Sequence, residues 1–132
     1  MKRSRLVILG SARGDGKTKQ ALDLVLHGME HELVDLSQLK IQLFDYQTAQ
    51  VEDDFIPLMK KLVQFDDVIL ASPVYWYAAS AQLKTFIDRW SDLLYAHQEL
   101  GRKLAGKNLF LVCSYEVNTR WGVLRLRPHF AC

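Results

Sequence analysis

The sequence predicts an α/β domain with a doubly wound parallel sheet, and three observations carry that prediction. The apolar runs Leu6-Val7-Ile8-Leu9, Val68-Ile69-Leu70-Ala71 and Leu109-Phe110-Leu111-Val112 do not alternate with polar residues, as expected of strands buried on both faces. Between them, apolar residues recur at helical spacing. Strand and helix patterns then alternate along the chain, which calls for right-handed crossovers onto both faces of one sheet. With the short run Leu33-Val34 as the second strand, the expected strand order is 2-1-3-4.

The first strand, Leu6 to Leu9, leads into a glycine-rich turn, Gly10 to Thr18. A helix over 17–27 follows, with Ala21, Leu22, Leu24 and Val25 as its apolar residues. After the second strand comes a polar connection holding Asp45-Tyr46, to which no role is assigned. Residues 54–64 place Phe55, Leu58, Met59, Leu62 and Val63 on one helical stripe. Asp53 or Asp54 can cap that helix, and Pro57 is tolerable in its first turn. The third strand ends in the turn Ser72 to Ser80. Ser80 then caps a helix whose inner face is Leu83, Phe86, Ile87, Trp90 and Leu94, with Arg89 and Asp92 on the outer face. The fourth strand ends at Cys113, read as a small buried apolar group rather than a nucleophile because no basic partner stands beside it.

Composition narrows the class. The 132 residues are 49% apolar with a formal charge of +2, enough for the core of one domain and no draw toward a nucleic acid. Two cysteines, Cys113 and Cys132, make no disulfide framework, so a reducing, cytoplasmic setting is expected. The basic start Lys2-Arg3-Ser4-Arg5 precedes an apolar run far too short for a signal core or membrane span. Up to Glu116 the chain holds 14 Lys and Arg against 15 Asp and Glu, whereas residues 117–132 hold three Arg and no acid. The expected division is a domain over 1–116 and a basic tail over 117–132, in which Val123 to Arg127 can form one short strand.

The turn Gly10-Ser11-Ala12-Arg13-Gly14-Asp15-Gly16-Lys17-Thr18 joins a strand to a helix N-terminus. Such a turn offers backbone N–H groups, glycines that admit an anion, and the positive end of a helix dipole. Ser11 and Thr18 add hydroxyls; Arg13 and Lys17 add charge. Phosphate binding therefore outweighs an ordinary βα turn. The turn ends like a Walker A motif, but the glycine that should open that motif falls on Ser11, and no acid follows the third strand to hold Mg²⁺. In the second turn, Tyr75, Trp76 and Tyr77 stand together where a switch point between strands 1 and 3 would place a ligand. A flat aromatic ligand suits that turn better than packing of all three rings does.

Two stretches resemble a known family. Ile8-Leu9-Gly10-Ser11-Ala12-Arg13 with Gly16-Lys17-Thr18, and Ser72-Pro73-Val74-Tyr75-Trp76-Tyr77 with Ser80, Leu83-Lys84 and Phe86-Ile87-Asp88-Arg89, are similar to the flavodoxin-like NAD(P)H-dependent FMN reductase and quinone reductase family. The likeness runs from about residue 5 to residue 114. It implies a flavodoxin-like fold and FMN held without a covalent bond. Ser11, Arg13, Gly16, Lys17 and Thr18 would hold the phosphate, Pro73, Val74, Tyr75, Trp76 and Tyr77 would flank the ring, and Ser114 would open a third flavin loop reaching about Asn118. It further implies NADPH or NADH as donor, a quinone or other small electrophile as acceptor, no catalytic side chain, and a homodimer or larger assembly with Trp76 and Tyr77 near the contact.

The chain departs from that family at its end. Only 19 residues follow Cys113, whereas a βαβ unit takes about 30, so the fifth strand and last helix are expected to be missing. A reading frame truncated or shifted near residue 117 is the expected reason, and the fourth strand is expected to be an uncovered edge. Three rival functions follow: a flavodoxin-type electron carrier, a nucleotide hydrolase, and an inactive remnant. His27-Gly28-Met29-Glu30-His31 matches a zinc-peptidase pattern, but Gly28 should end the helix between the two histidines. His97 and His129 are isolated from it, and no metal is expected.

Overall fold

A computed structural model of the chain describes residues 2–115. Its strands are β1 (Arg5–Leu9), β2 (Glu32–Asp35), β3 (Asp67–Tyr75), β4 (Ala78–Ala79) and β5 (Asn108–Ser114). Its helices are α1 (Lys17–Val25), α2 (Phe55–Leu62), α3 (Ala81–Asp88), α4 (Ser91–Tyr95) and α5 (Gln98–Arg102). The four longer strands are parallel in the order β2-β1-β3-β5. That is the expected order with one addition, the two-residue β4 folding back antiparallel on the end of β3.

The unbroken apolar runs have a simple origin. Leu6 and Ile8 of β1 face one core with Phe55, Met59 and Phe86 from α2 and α3. Val7 and Leu9 face the other with Leu22 and Leu26 at α1. Side chains alternate across a strand, so a strand covered on both sides needs apolar residues at every position.

The inner faces of two helices differ from expectation. On α1 the buried line is Thr18, Leu22 and Leu26, at a spacing of four, while Leu24 and Val25 are 81% and 56% exposed. The apolar residues were too few there to define a stripe. The helix after Ser80 stops at Asp88 and restarts at Ser91. That break leaves Leu94 outside and turns Arg89 and Asp92 inward, at 0% and 4% exposure.

Arg89 anchors the long connection after β2. Its Nε donates to Asp92 Oδ2 at 2.8 Å, and its terminal nitrogens donate to Asp53 Oδ2 at 2.5 Å and to the Gln42 carbonyl at 3.2 Å. The guanidinium lies 4.7 Å from the Phe55 ring centroid. Thr48 Oγ1 donates to Asp92 Oδ1 at 2.9 Å. Asp53 also caps α2, accepting from the Phe55 N–H at 3.0 Å, whereas Asp54 accepts from the Lys40 N–H. Burial pushes the Asp53 carboxyl up, but the Arg89 guanidinium and the Gln42 and Phe55 N–H groups outweigh it and hold the group below its ordinary range.

Two further expectations meet the structure here. Helix α1 ends at Val25, and Gly28 follows with φ +73°, so His27 and His31 do not share a helical face. Cys113 is half-buried, near the end of β5. On β5, Leu109, Phe110 and Leu111 are 56%, 51% and 46% exposed. The basic tail, the possible strand at 123–127, His129 and the loop beyond Ser114 toward Asn118 lie outside the described residues.

Candidate flavin-nucleotide site

The glycine turn leaves β1 with the Gly10 N–H donating to the Ala71 carbonyl of β3 at 2.8 Å. A Cβ on Gly10 would stand 2.6 Å from Leu83 Cβ, so no larger residue lets α3 approach the turn this closely. Ser11 is 5% exposed, and its Oγ accepts from the Arg13 N–H at 3.2 Å, curling the turn over itself. Arg13 is exposed. Gly16 is the extended residue before α1 and brings no side chain to cap it. The first helical bond runs from the Gln20 N–H to the Gly16 carbonyl. The N–H groups ahead of it point out of the helix end, and no acidic residue occupies that first turn. An anion there meets donors and the positive end of the dipole.

Thr18 and Ser114 come together from 96 residues apart. Their hydroxyl oxygens are 2.7 Å from each other, and Thr18 is 2% exposed. Ser114 stands opposite Pro73 in the parallel register of β5 and β3. The three segments named from sequence therefore meet at the carboxyl ends of β1, β3 and β5.

The second turn is shorter than expected. Residues 72–75 continue β3, and the turn proper is Trp76-Tyr77, with φ of 48° and 65°. A two-residue hairpin of this hand needs positive φ at both central positions, which bulky L-residues adopt at a cost. Pro73 is tolerated within the strand because β1 stops opposite Ala71, so no ladder bond is demanded of its missing N–H on that side. Tyr75, Trp76 and Tyr77 are 49%, 88% and 58% exposed.

Sequence reasoning missed the joint between the two turns. Ser80 was expected only as the α3 cap, yet its Oγ also donates to the Gly10 carbonyl, and its N–H donates to Ser72 Oγ at 2.8 Å. Nothing local in the sequence marks that contact. A cavity of about 870 Å³ also opens between α2 and α4–α5, lined by Lys60, His97, Arg102 and Lys103 among others. None of the residues of the two turns lines it.

Comparison with known proteins shows the family. The family profile described as NADPH-dependent FMN reductase matches residues 4–132. A Bacillus subtilis protein named as an NAD(P)H-dependent FMN-containing oxidoreductase is 35% identical over 94 residues, covering 67% of this chain and 52% of that one. An iron–sulfur flavoprotein of Archaeoglobus fulgidus is 41% identical over 106 residues, covering 69% of this chain and 46% of that one. The chain thus spans about half the length of these relatives. Among solved structures, the Trp repressor binding protein of Bacillus subtilis superposes with a TM-score of 0.67 at 25% identity, over 86% of this chain and 64% of that one. The NAD(P)H:quinone oxidoreductase of Methanothermobacter marburgensis does so with a TM-score of 0.60 at 12% identity, over 87% and 85%, which speaks to fold alone. With a flavodoxin-like strand order and a profile match over nearly its whole length, the chain belongs to the NADPH-dependent FMN reductase family.

Proposed function

We propose that this chain binds FMN non-covalently and uses NAD(P)H to reduce a quinone or similar small electrophile. One observation supports this above the rest: an anion-accepting helix end and a hairpin of three exposed rings share the same end of the sheet, tied directly to each other. The donor set fits the group. Arg13, the Ser11 hydroxyl and the N–H groups at the start of α1 suit a phosphate, and Gly16 leaves the helix end open to it. Thr18 contributes its backbone, since its hydroxyl is engaged with Ser114. The Tyr75-Trp76-Tyr77 turn suits a planar ring, with peptide N–H groups available to its polar edge.

When bound, FMN supplies the hydride chemistry, taking two electrons from the nicotinamide and giving them to the acceptor. The protein's part is binding and orientation. Arg13 balances the phosphate charge, the hairpin sets the depth of the ring, and backbone N–H groups favour negative charge at the ring's edge. No side chain need act as acid or base. Two relatives are named as iron–sulfur flavoproteins, but a cluster of that kind takes four thiolates and this sequence has two cysteines, so no cluster is carried over. We further propose a homodimer or larger assembly, and a cytoplasmic setting on the reading of the two cysteines given above. No described helix is long and apolar enough to cross a membrane.

The test is titration with FMN and with riboflavin, followed by the visible spectrum, for the unaltered chain and Arg13→Ala. A charged hydrogen bond contributes about 1.5–3 kcal/mol, so Arg13→Ala should weaken FMN by roughly tenfold or more and leave riboflavin nearly unchanged. Equal loss for both flavins would assign Arg13 another role. Steady-state oxidation of NADPH by FMN-loaded protein separates an enzyme from a passive electron carrier.

A further inference from the structure

Ser80 is fully buried and makes more bonds than a helix cap requires. Its Oγ accepts from the Leu83 N–H at 3.1 Å, which caps α3. The same Oγ donates its proton to the carbonyl of Gly10, 70 residues earlier. Its N–H donates to Ser72 Oγ at 2.8 Å, and Ser72 Oγ donates to the Pro73 carbonyl at 2.7 Å. Gly10 is held from its other side by its N–H bond to Ala71. A continuous hydrogen-bonded path therefore runs from the first residue of the glycine turn to the base of the aromatic hairpin.

Capping requires only an acceptor, which Asp or Asn supplies as well as Ser. Donation to Gly10 requires a hydroxyl proton, in a place where both residues are buried and water cannot substitute. A fully satisfied hydrogen-bond network in such a dry setting rigidifies the segments it joins. We propose that Ser80 is a positioning residue that couples the two halves of the flavin site, so that an anion held by the glycine turn strengthens the hold of the hairpin on the ring, and the reverse. This rests on the flavin reading above. Because coupling between two ligands is reciprocal, it can be measured with the halves of FMN supplied separately, as riboflavin and inorganic phosphate.

The experiment measures the Kd of riboflavin by its fluorescence, without and with saturating inorganic phosphate, on the full chain. In the unaltered protein phosphate should tighten riboflavin by about 5-fold or more, the low end of typical coupling factors. In Ser80→Ala the ratio should fall to near one. Ser80→Thr keeps the hydroxyl and should keep the ratio. A purely structural role would scale both Kd values alike, so an unchanged ratio in Ser80→Ala overturns the coupling. An unaltered chain that binds riboflavin equally with and without phosphate overturns it too, whether or not any variant folds. No riboflavin binding under either condition removes the flavin reading itself and the coupling with it.

Discussion

Arg89 is the residue on which the largest single effect is expected. It faces two carboxylates, Asp53 and Asp92, in a setting closed to solvent. Removing one partner of a buried ion pair strands the other charge and typically costs about 3–5 kcal/mol. Arg89→Met should therefore lower the urea-derived stability at pH 7 by that amount. The pH dependence has a definite sign. The Asp53 carboxyl sits below its unfolded value, so its contribution is present above that value, near 3.8, and is lost as pH falls through the depressed folded value. Asp66 and Asp67 act in the same sense, Asp66 held down by the Ser4 N–H and hydroxyl, Asp67 by the Arg3 guanidinium. In Arg89→Met the Asp53 contribution should reverse, because burial then opposes its charged form. The variant's deficit should accordingly shrink between pH 7 and pH 4; a deficit constant over that range would contradict the assignment. None of this was legible in sequence. Arg and Asp three apart on a helix read as a solvated pair, and only the helix break between Asp88 and Ser91 turns them inward.

Among the elements, the β3–β4 hairpin is the one whose local sequence contradicts its conformation. Trp76 and Tyr77 both hold positive φ, at about 1–2 kcal/mol per residue, where Asn-Gly would be favoured. The double change Trp76→Asn, Tyr77→Gly should therefore raise the urea midpoint while weakening FMN binding. A lowered midpoint would mean that the rings contribute more to folding than the turn costs. Strain of this kind persists where function requires it. The strands were legible because β1, β3 and β5 each carry an unbroken apolar run, Leu6 to Leu9, Val68 to Ala71 and Leu109 to Val112. Helix α2 was legible as well, since Phe55, Leu58, Met59 and Leu62 are all buried. The inner face of α1 was not, because Leu22 and Leu26 alone mark it and Leu24 and Val25 lie exposed beside them.

For the molecule as a whole, the weak point among the described residues is β5. It pairs with β3 and carries three apolar residues that are about half exposed. Apolar strands at a sheet edge invite association, and charge placed on them suppresses it. Leu109→Lys should reduce light scattering at high protein concentration and change the urea-derived stability by no more than about 0.5 kcal/mol, as for other exposed positions. Undiminished scattering would place the association elsewhere.

Read by itself, the sequence determined the parallel sheet, its strand order, and the two turns that crowd one end of it. Those features depend on the periodicity of apolar residues and on turn chemistry, both written within a few residues of each other. Only the tertiary structure decided that Arg89 lies inside, that Thr18 meets Ser114, and that Ser80 reaches Gly10. Each of these joins residues that are distant in the chain or lie across a helix break, and a buried polar group takes its partner from whatever the packing brings within about 3 Å.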